Sequence, residues 1–576
     1  MRKNILIELI KHFRNLSMQK LWSFTFIFFA VLSKYQTLKA QGVLESRPNI
    51  IFILTDDQRY DLLGCTGNEI IKTPNIDKLA SDGILFTNAH VTSAICTPSR
   101  ASILLSQYER KHGVNFNSGT SVSTEAWKYS YPMILRDNGY FTGYIGKNHV
   151  PVGHGGYESG IMEKSFDYWY AGHGHLSFYP KSRHEIFKGA KNNTQVEVIE
   201  EGVSDFLSNE FRLEGAEHFI NAIPENKPFC LNINFNLPHG ASTSTMKMLP
   251  TDNEMYKSLY RDQKIRFPEN YIEKDSIKNP KIPSKILHAN DRQRIYDFVD
   301  NKRDLKERII RNMQAVTGID NLIGKLRQIL KKRKLDSNTI IIFTSDHGIM
   351  WGENGLGGKA LCYEVCTRVP LIIYNPLVNK KQRGIVSNEL VQSIDLAPTM
   401  LTYASIPIPD SFQGKPLNKL VEGQSHQIRK YLFTENLWST HFGNPRCEAV
   451  QDSEWKYIRY YKNENLSSQD LINTAKDFNV DLTSILYSNH DPQIAVYRSF
   501  IESPLKGEEV AYEELFQLKT DPDEQINLAY EKKYLKKLEQ MRSVWKATIK
   551  KARGSEKPKV VRYTKDSEYE RLKSIN

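Results

Sequence analysis

From residue 48 onward the chain alternates short apolar runs with amphipathic stretches, and the runs stop on polar, chemically capable residues; no other feature limits the fold as much. Asn49-Ile50-Ile51-Phe52-Ile53-Leu54 runs directly into Thr55-Asp56-Asp57-Gln58. Apolar runs of this length suit strands covered on both faces, and the intervening stretches suit helices, so the order predicts an α/β domain around a largely parallel sheet. Thr73-Pro74 sets a helix start and Gly83 its end. A helix over residues 132–138 stops at Gly139, and a strand over 140–145 follows. Leu305, Ile309, Met313, Val316, Ile319, Ile323 and Leu326 recur at helical spacing, and strands are expected at 229–235, 339–343 and 369–374.

Beyond about residue 430 the pattern changes. Residues 448–461 read as a hairpin turning at Asp452-Ser453-Glu454, and 515–522 as a strand running into a turn. The expected division is a catalytic domain over 41–430 and a smaller α+β domain with a basic tail over 431–576; 576 residues suffice for both, because single cores stop growing beyond about 250 to 300 residues. Residues 155–300, irregular, aromatic and charged, read as insertions around a sheet edge, where specificity tends to reside.

The first forty residues read as an export signal. Arg2, Lys3, Lys11, Arg14 and Lys20 precede an apolar run at 21–32 that is too short to span a bilayer comfortably. A secreted or periplasmic protein is expected, with no stable membrane insertion after cleavage near Ala40; an uncleaved anchor is the alternative. Removing residues 1–40 takes away seven Lys or Arg and one Glu, so the formal charge falls from +12 to +6. That excess suits an anionic substrate and is no nucleic-acid signature. Six cysteines without dense spacing exclude a disulfide scaffold, and Cys362 with Cys366 reads as packing or a local bridge.

In open α/β sheets ligands bind beyond the carboxyl ends of the strands. Asp56 and Asp57 follow the first strand, Lys147 and His149 the strand ending near 145, His239 the run at 229–235, and Asp346 and His347 the strand ending near 343. Alone, an Asp-Asp pair is a turn or a helix cap. Beside Asp346-His347-Gly348 at another strand end it points to a cation, with calcium favoured by oxygen ligands and zinc or manganese left open by the histidine. Cys96 precedes Pro98 at the expected start of a helix, where backbone N–H groups favour an anion. By itself it would be a small buried hydrophobe, or a thiolate nucleophile.

Cys96-Thr97-Pro98-Ser99-Arg100 resembles the C-x-P-S-R signature of the formylglycine-dependent sulfatases, within the alkaline-phosphatase-like superfamily. Thr55-Asp56-Asp57-Gln58, Thr73-Pro74-Asn75-Ile76-Asp77, Gly146-Lys147-Asn148-His149, Pro238-His239, Ser345-Asp346-His347-Gly348 and Lys359 resemble further family motifs in order along the chain. The resemblance implies an α/β/α sandwich with a mostly parallel central sheet. It also implies oxidation of Cys96 to Cα-formylglycine, by a formylglycine-generating enzyme or an anaerobic maturase, and one Ca2+ ion held by Asp56, Asp57, modified Cys96, Asp346 and His347. In such enzymes one hydroxyl of the hydrated aldehyde attacks sulfur and the other later expels sulfate. Arg100 would then orient the diol, Lys147 and Lys359 bind sulfate, His239 or Lys359 protonate the leaving alcohol, and His149 assist release.

Three departures stand out, the first being Gly240 directly after His239, where many relatives carry a proline after another residue. Family members usually continue into L-T-G-R where this chain has Leu104-Leu105-Ser106-Gln107, and His347 replaces the commoner asparagine. The expected substrate is a sulfated polysaccharide or oligosaccharide, with algal material such as ulvan favoured. The competing readings are a phosphonate monoester or phosphodiester hydrolase of the same superfamily, and an inactive binder of sulfated glycans. His112, His154, His173 and His175 are secondary candidates for substrate contact.

Overall fold

The computed structural model describes residues 47–116, 120–173, 214–239, 257–287, 291–293, 296–437, 443–462, 501–556 and 560–562. The expected signal peptide and His175 lie outside the described residues. The first part of the chain builds strand β1 (Asn49–Asp56), helix α1 (Pro74–Asp82), β2 (Ile84–Phe86), α2 (Cys96–Leu105), α3 (Tyr131–Asp137), β3 (Phe141–Asn148), β4 (Tyr168–His173), α4 (Glu214–Ala222) and β5 (Phe229–Pro238). A long helix, α5 (Lys302–Lys332), leads to β6 (Thr339–Ser345), β7 (Leu371–Tyr374), β8 (Ile385–Ser387) and α6 (Leu396–Tyr403).

The eight strands form one sheet in the order β8-β2-β7-β6-β1-β5-β3-β4. Every pair is parallel except those made by β7, which runs against both β6 and β2. The strand expected at 369–374 therefore exists but runs opposite to the rest.

Because side chains alternate across a strand, β1 feeds two cores. Ile51 and Ile53 join Leu231, Ile233, Ile341 and Phe343 beneath α1, α4 and α5. Ile50, Phe52 and Leu54 join Ile340 and Ile342 on the other face, covered by α2, α3 and α6. The outcome is the expected α/β/α sandwich. It also explains why the strands read as continuous apolar runs with no alternation.

A second, four-stranded antiparallel sheet follows the chain order: β9 (Leu432–Asn436), β10 (Cys447–Gln451), β11 (Trp455–Tyr460) and β12 (Tyr512–Gln517). Its β10–β11 hairpin turns at Asp452, whose N–H bonds the Trp455 carbonyl, as the sequence suggested. One face packs on the large domain through Cys447, Ile458 and Phe516. Helix α7 (Leu535–Arg553) covers the other with Leu538, Met541, Trp545 and Ile549. Strand β13 (Val560–Arg562) then pairs with residues Thr120–Val122 of the large domain. Cys362 meets Cys447 across this boundary with Sγ atoms 3.5 Å apart, whereas Cys366 turns to the Gly358 carbonyl. Of the two readings of Cys362 and Cys366, packing therefore holds and the local bridge does not: four residues of separation place the two thiols in different surroundings.

Helix α2 is buried along its whole length, so its end must be satisfied from within. Its cap, Ser106, is left-handed (φ 53°, ψ 42°), the conformation that normally favours glycine. Here the serine hydroxyl repays the strain, donating to the Ile394 carbonyl at 2.7 Å and accepting from Gly414 N–H at 3.1 Å. The departure at Leu105-Ser106-Gln107 is thus accommodated locally, ten residues from Cys96. Just beyond it, Arg110 is fully buried and reaches the second sheet, binding Glu435 at 2.5 Å, Glu448, and the Ile501 carbonyl at 3.0 Å. Replacing Arg110 with Met leaves two buried carboxylates without a counter-charge. This substitution is expected to destabilise by about 3–5 kcal/mol, read as a lowered urea midpoint.

Candidate active site

Four adjacent strands, β6, β1, β5 and β3, bring their carboxyl ends to one edge, and helix α2 points its first residue at it. Asp57 takes a left-handed turn (φ 61°), an uncommon conformation for a residue other than glycine. The turn aims its N–H at Asp346 Oδ1, 3.1 Å away, and so fastens the ends of β1 and β6 together. At β3, Gly146 has φ +90°, and a Cβ there would overlap the Asn234 carbonyl of β5. Only glycine lets the strand approach that closely before Lys147. Lys147 lies inside the strand, which runs three residues past the expected end, and its ammonium is ion-paired to Asp56.

Cys96 Sγ is fully buried, 3.3 Å from His347 Nε2, 3.2 Å from Lys359 Nζ and 3.8 Å from Asp56 Oδ1. Lys359 also donates to Asp57 Oδ1 at 2.8 Å, and His239 Nε2 lies 3.6 Å from Asp57 Oδ2. One turn along α2, Arg100 donates from Nε to Asp346 Oδ2 at 2.9 Å and from Nη1 to the Lys147 carbonyl at 3.4 Å, with Nη2 3.6 Å from Asp56. Arg100 therefore touches the ends of β1, β3 and β6 at once. Ser99 adds a bond to the Asp346 carbonyl at 2.5 Å. Nine of the ten predicted positions converge in this way: Asp56, Asp57, Cys96, Arg100, Lys147, His239, Asp346, His347 and Lys359.

His149 stands slightly apart. It is buried, edge-on to Phe116 with centroids 5.5 Å apart and nearly parallel to Tyr157 at 6.3 Å. None of these ring contacts reaches Cys96. Of the secondary histidines, His112 is bound internally by Ser102 and Val114, and His173 bonds Asn148 and Glu163. His154 is exposed.

Electrostatics follow from crowding. Burial disfavours the Asp56 anion, but Lys147, His239, Arg100 and Lys359 together hold its carboxyl well below the usual range. Asp57 is lowered in the same way, burial being outweighed by Lys359 and the neighbouring histidines. Asp346 goes the other way, pushed up by burial and by the charge of Asp56. His347 is raised to about 9, because Asp346 and Cys96 outweigh its burial. Burial lowers His239 to about 3.

This donor set fits a metal cation. Single ligand atoms of Asp56, Cys96, Asp346 and His347 lie within 4.8 Å of one another, as do those of Asp57, Cys96 and His239. His347 Nδ1 lies 3.0 Å from the Gly348 carbonyl, which can only accept, so Nδ1 keeps its proton and a bound cation would displace the Nε2 proton to take that lone pair. A bound cation would also relieve the mutual repulsion that pushes Asp346 up.

One group near the site was not anticipated from the sequence. Arg308, in the second turn of α5, is buried and stacks on Phe298 with its guanidinium carbon 4.8 Å from the ring centroid. Its signal was present: a charged residue three positions after Leu305 falls on the apolar face of the helix.

Comparison with known proteins agrees with this geometry. The sulfatase family model matches residues 48–406, and the model of the N-sulphoglucosamine sulphohydrolase C-terminal region matches 352–495. An arylsulfatase of Clostridium perfringens is 28% identical over 81% of this chain and 96% of its own. An N-acetylglucosamine-6-O-sulfatase of Bacteroides thetaiotaomicron is 28% identical over 75% and 82%, and an ulvan-active sulfatase of Formosa agariphila 27% over 75% and 77%. Among solved structures, BT4656 in complex with its substrate D-glucosamine-2-N,6-O-disulfate aligns over 89% of this chain and 99% of its own (TM-score 0.58, 21% identity). The phosphonate monoester hydrolase of Agrobacterium radiobacter aligns over 88% and 96% (TM-score 0.60, 18% identity). At these identities the two structures speak to the fold. The family model covers well over half of the chain and includes the Cys96 motif and both halves of the acidic cluster: the chain belongs to the sulfatase family, and is a sulfuric ester hydrolase.

Proposed function

We propose that this enzyme hydrolyses sulfate esters of exported or environmental polysaccharides and oligosaccharides through a formylglycine at position 96 and a calcium ion. The observation that carries the reading is the convergence of Cys96 Sγ with three carboxylates, His347 and Lys359 in one buried cluster. Asp56, Asp57, Asp346 and His347, with the modified Cys96 side chain, would hold the ion, which supplies Lewis-acid polarisation of the sulfate group. A hydrated aldehyde at position 96 supplies a nucleophilic oxygen together with a second hydroxyl for product release.

The chain's own residues do the rest. Lys147 and Lys359, on opposite sides of the acidic pair, offer donors to the non-bridging sulfate oxygens, where negative charge must be held. Arg100 is a positioning residue: its contacts are Asp346, Asp56 and the Lys147 carbonyl, so it fixes the strand ends. Either Lys359 or His239 protonates the departing sugar oxygen; both contact Asp57. His149, packed against Phe116 and Tyr157, would assist release.

For the substrate, relatives named for N-acetylglucosamine-6-O-sulfate and for ulvan both support a sulfated glycan. We favour algal polysaccharide such as ulvan. Measuring sulfate released from ulvan, carrageenan, fucoidan and glycosaminoglycan oligosaccharides tests this. Activity confined to small aryl sulfates counts against it, and faster turnover of a phosphonate monoester or phosphodiester than of any sulfate ester favours the sister hydrolases.

Two further outcomes are expected. Chelation with EGTA abolishes sulfate release, and added Ca2+ restores it. Full activity in the chelated enzyme would remove the ion from the account. Ala substitution of the general acid lowers kcat/KM on a sugar sulfate by about 10²–10⁴-fold, and by much less on 4-nitrophenyl sulfate, whose leaving group needs no proton. Comparing Lys359→Ala and His239→Ala on both substrates identifies which side chain fills the role.

A further inference from the structure

Several buried arginines among the described residues come with carboxylates. Arg59 has Asp61 and Glu353, Arg100 has Asp346, and Arg110 has Glu435 and Glu448. Like Arg459 of the smaller domain, which stacks on Trp545 instead, Arg308 has none. It is 9% exposed, its Nε has no acceptor, and among the described residues no carboxylate lies within 4.0 Å of its guanidinium. Leaving a guanidinium buried and unpaired is costly, so a fold that merely needed to fill this space would place an apolar side chain here.

Its surroundings belong to the wall of the active site. Phe298, on which Arg308 stacks, sits two residues after Tyr296. Tyr296 lies flat against Gly358, so closely that any Cβ there would overlap its ring, and Gly358 is followed by Lys359. Gln293, three residues before Tyr296, accepts from Gly357 N–H at 3.3 Å, while its own buried Nε2 has no acceptor. Helix α5 itself packs on β5, whose last residue, Pro238, precedes His239. Two buried donors without protein acceptors, Arg308 Nε and Gln293 Nε2, thus stand on the elements that frame Lys359 and His239. The acid whose charge bears on Arg308 is Asp57.

We propose that Arg308 binds a second anionic group of the substrate, a uronate carboxylate or a second sulfate, and so selects sugars carrying two negative charges over sugars carrying one. A guanidinium presents a planar fork that matches either oxyanion. This rests on the sulfated-glycan reading above, and it adds a preference that the sulfate-binding cluster alone does not create.

The test compares wild type with Arg308→Met and Arg308→Lys on four substrates: 4-nitrophenyl sulfate, a monosulfated N-acetylglucosamine, a disulfated glucosamine, and a sulfated disaccharide containing a uronate. The readout is the ratio of kcat/KM for a two-anion substrate to that for a one-anion substrate, alongside the melting temperature. Arg308→Met is expected to lower the ratio by about tenfold or more. The two-anion substrate whose ratio falls identifies the group bound, and Arg308→Lys retains part of the preference. The melting temperature holds or rises, because an unpaired buried charge has gone. An unchanged ratio for both two-anion substrates overturns the proposal. So does an equal loss on all four substrates with a lowered melting temperature, which marks a purely structural arginine. Calorimetric binding of the same sugars to the Cys96→Ser protein, with and without Arg308→Met, separates the two claims. A wild type that cleaves no sulfate ester defeats the functional reading, whereas affinities for two-anion sugars that ignore Arg308 defeat this one.

Discussion

Three carboxylates, Asp56, Asp57 and Asp346, meet at the dry carboxyl edge of the sheet, and the rest of the site is arranged around their repulsion. Two unit charges about 5 Å apart oppose each other by roughly 3 kcal/mol at an effective dielectric constant of about 20. The chain offsets this with cations from different elements: Lys147 from β3, Arg100 from α2, Lys359 from the loop after β6, and His347 beside Asp346. The one acid that escapes full compensation, Asp346, is the one pushed upward. A folded protein tolerates such a cluster when it serves binding, and the Nε2 that His347 aims inward, its Nδ1 held by the Gly348 carbonyl, gives that binding a direction.

The same economy explains why the nucleophile helix is buried from end to end. Cys96 must sit at a helix start, beside the acids, with no solvent path from beneath, so every residue of α2 faces protein. Its far end is then closed by Ser106 and tied to the second sheet by Arg110 with Glu435 and Glu448. The smaller domain is thereby part of the scaffold of the site. Its β13 strand returns to pair with Thr120–Val122, which strengthens the same connection.

Much of this was legible in the order of residues. Apolar runs that stop on Asp56, Lys147, His239 and Asp346 placed four strand ends together before any geometry was known, because parallel strands must all end on one side. The direction of β7 was not legible: Leu371–Tyr374 looks the same whichever way it runs, and only its pairing with β6 and β2 decides. The partner of Cys362 was equally hidden, since Cys447 lies 85 residues away and belongs to another sheet. Arg308 was hidden in a subtler way. Helical periodicity draws attention to the apolar residues it collects, and a charge on that face reads as noise until its burial is seen.

The account turns on one residue, and the most direct measurement is the mass of the peptide containing position 96, taken from the active enzyme purified from its native source. Formylglycine there, in proportion to the sulfatase activity of the preparation, is the predicted result. An unmodified cysteine in a preparation that hydrolyses sulfate esters at full rate would contradict the account, because the buried cluster around Cys96 would then be working through a thiol.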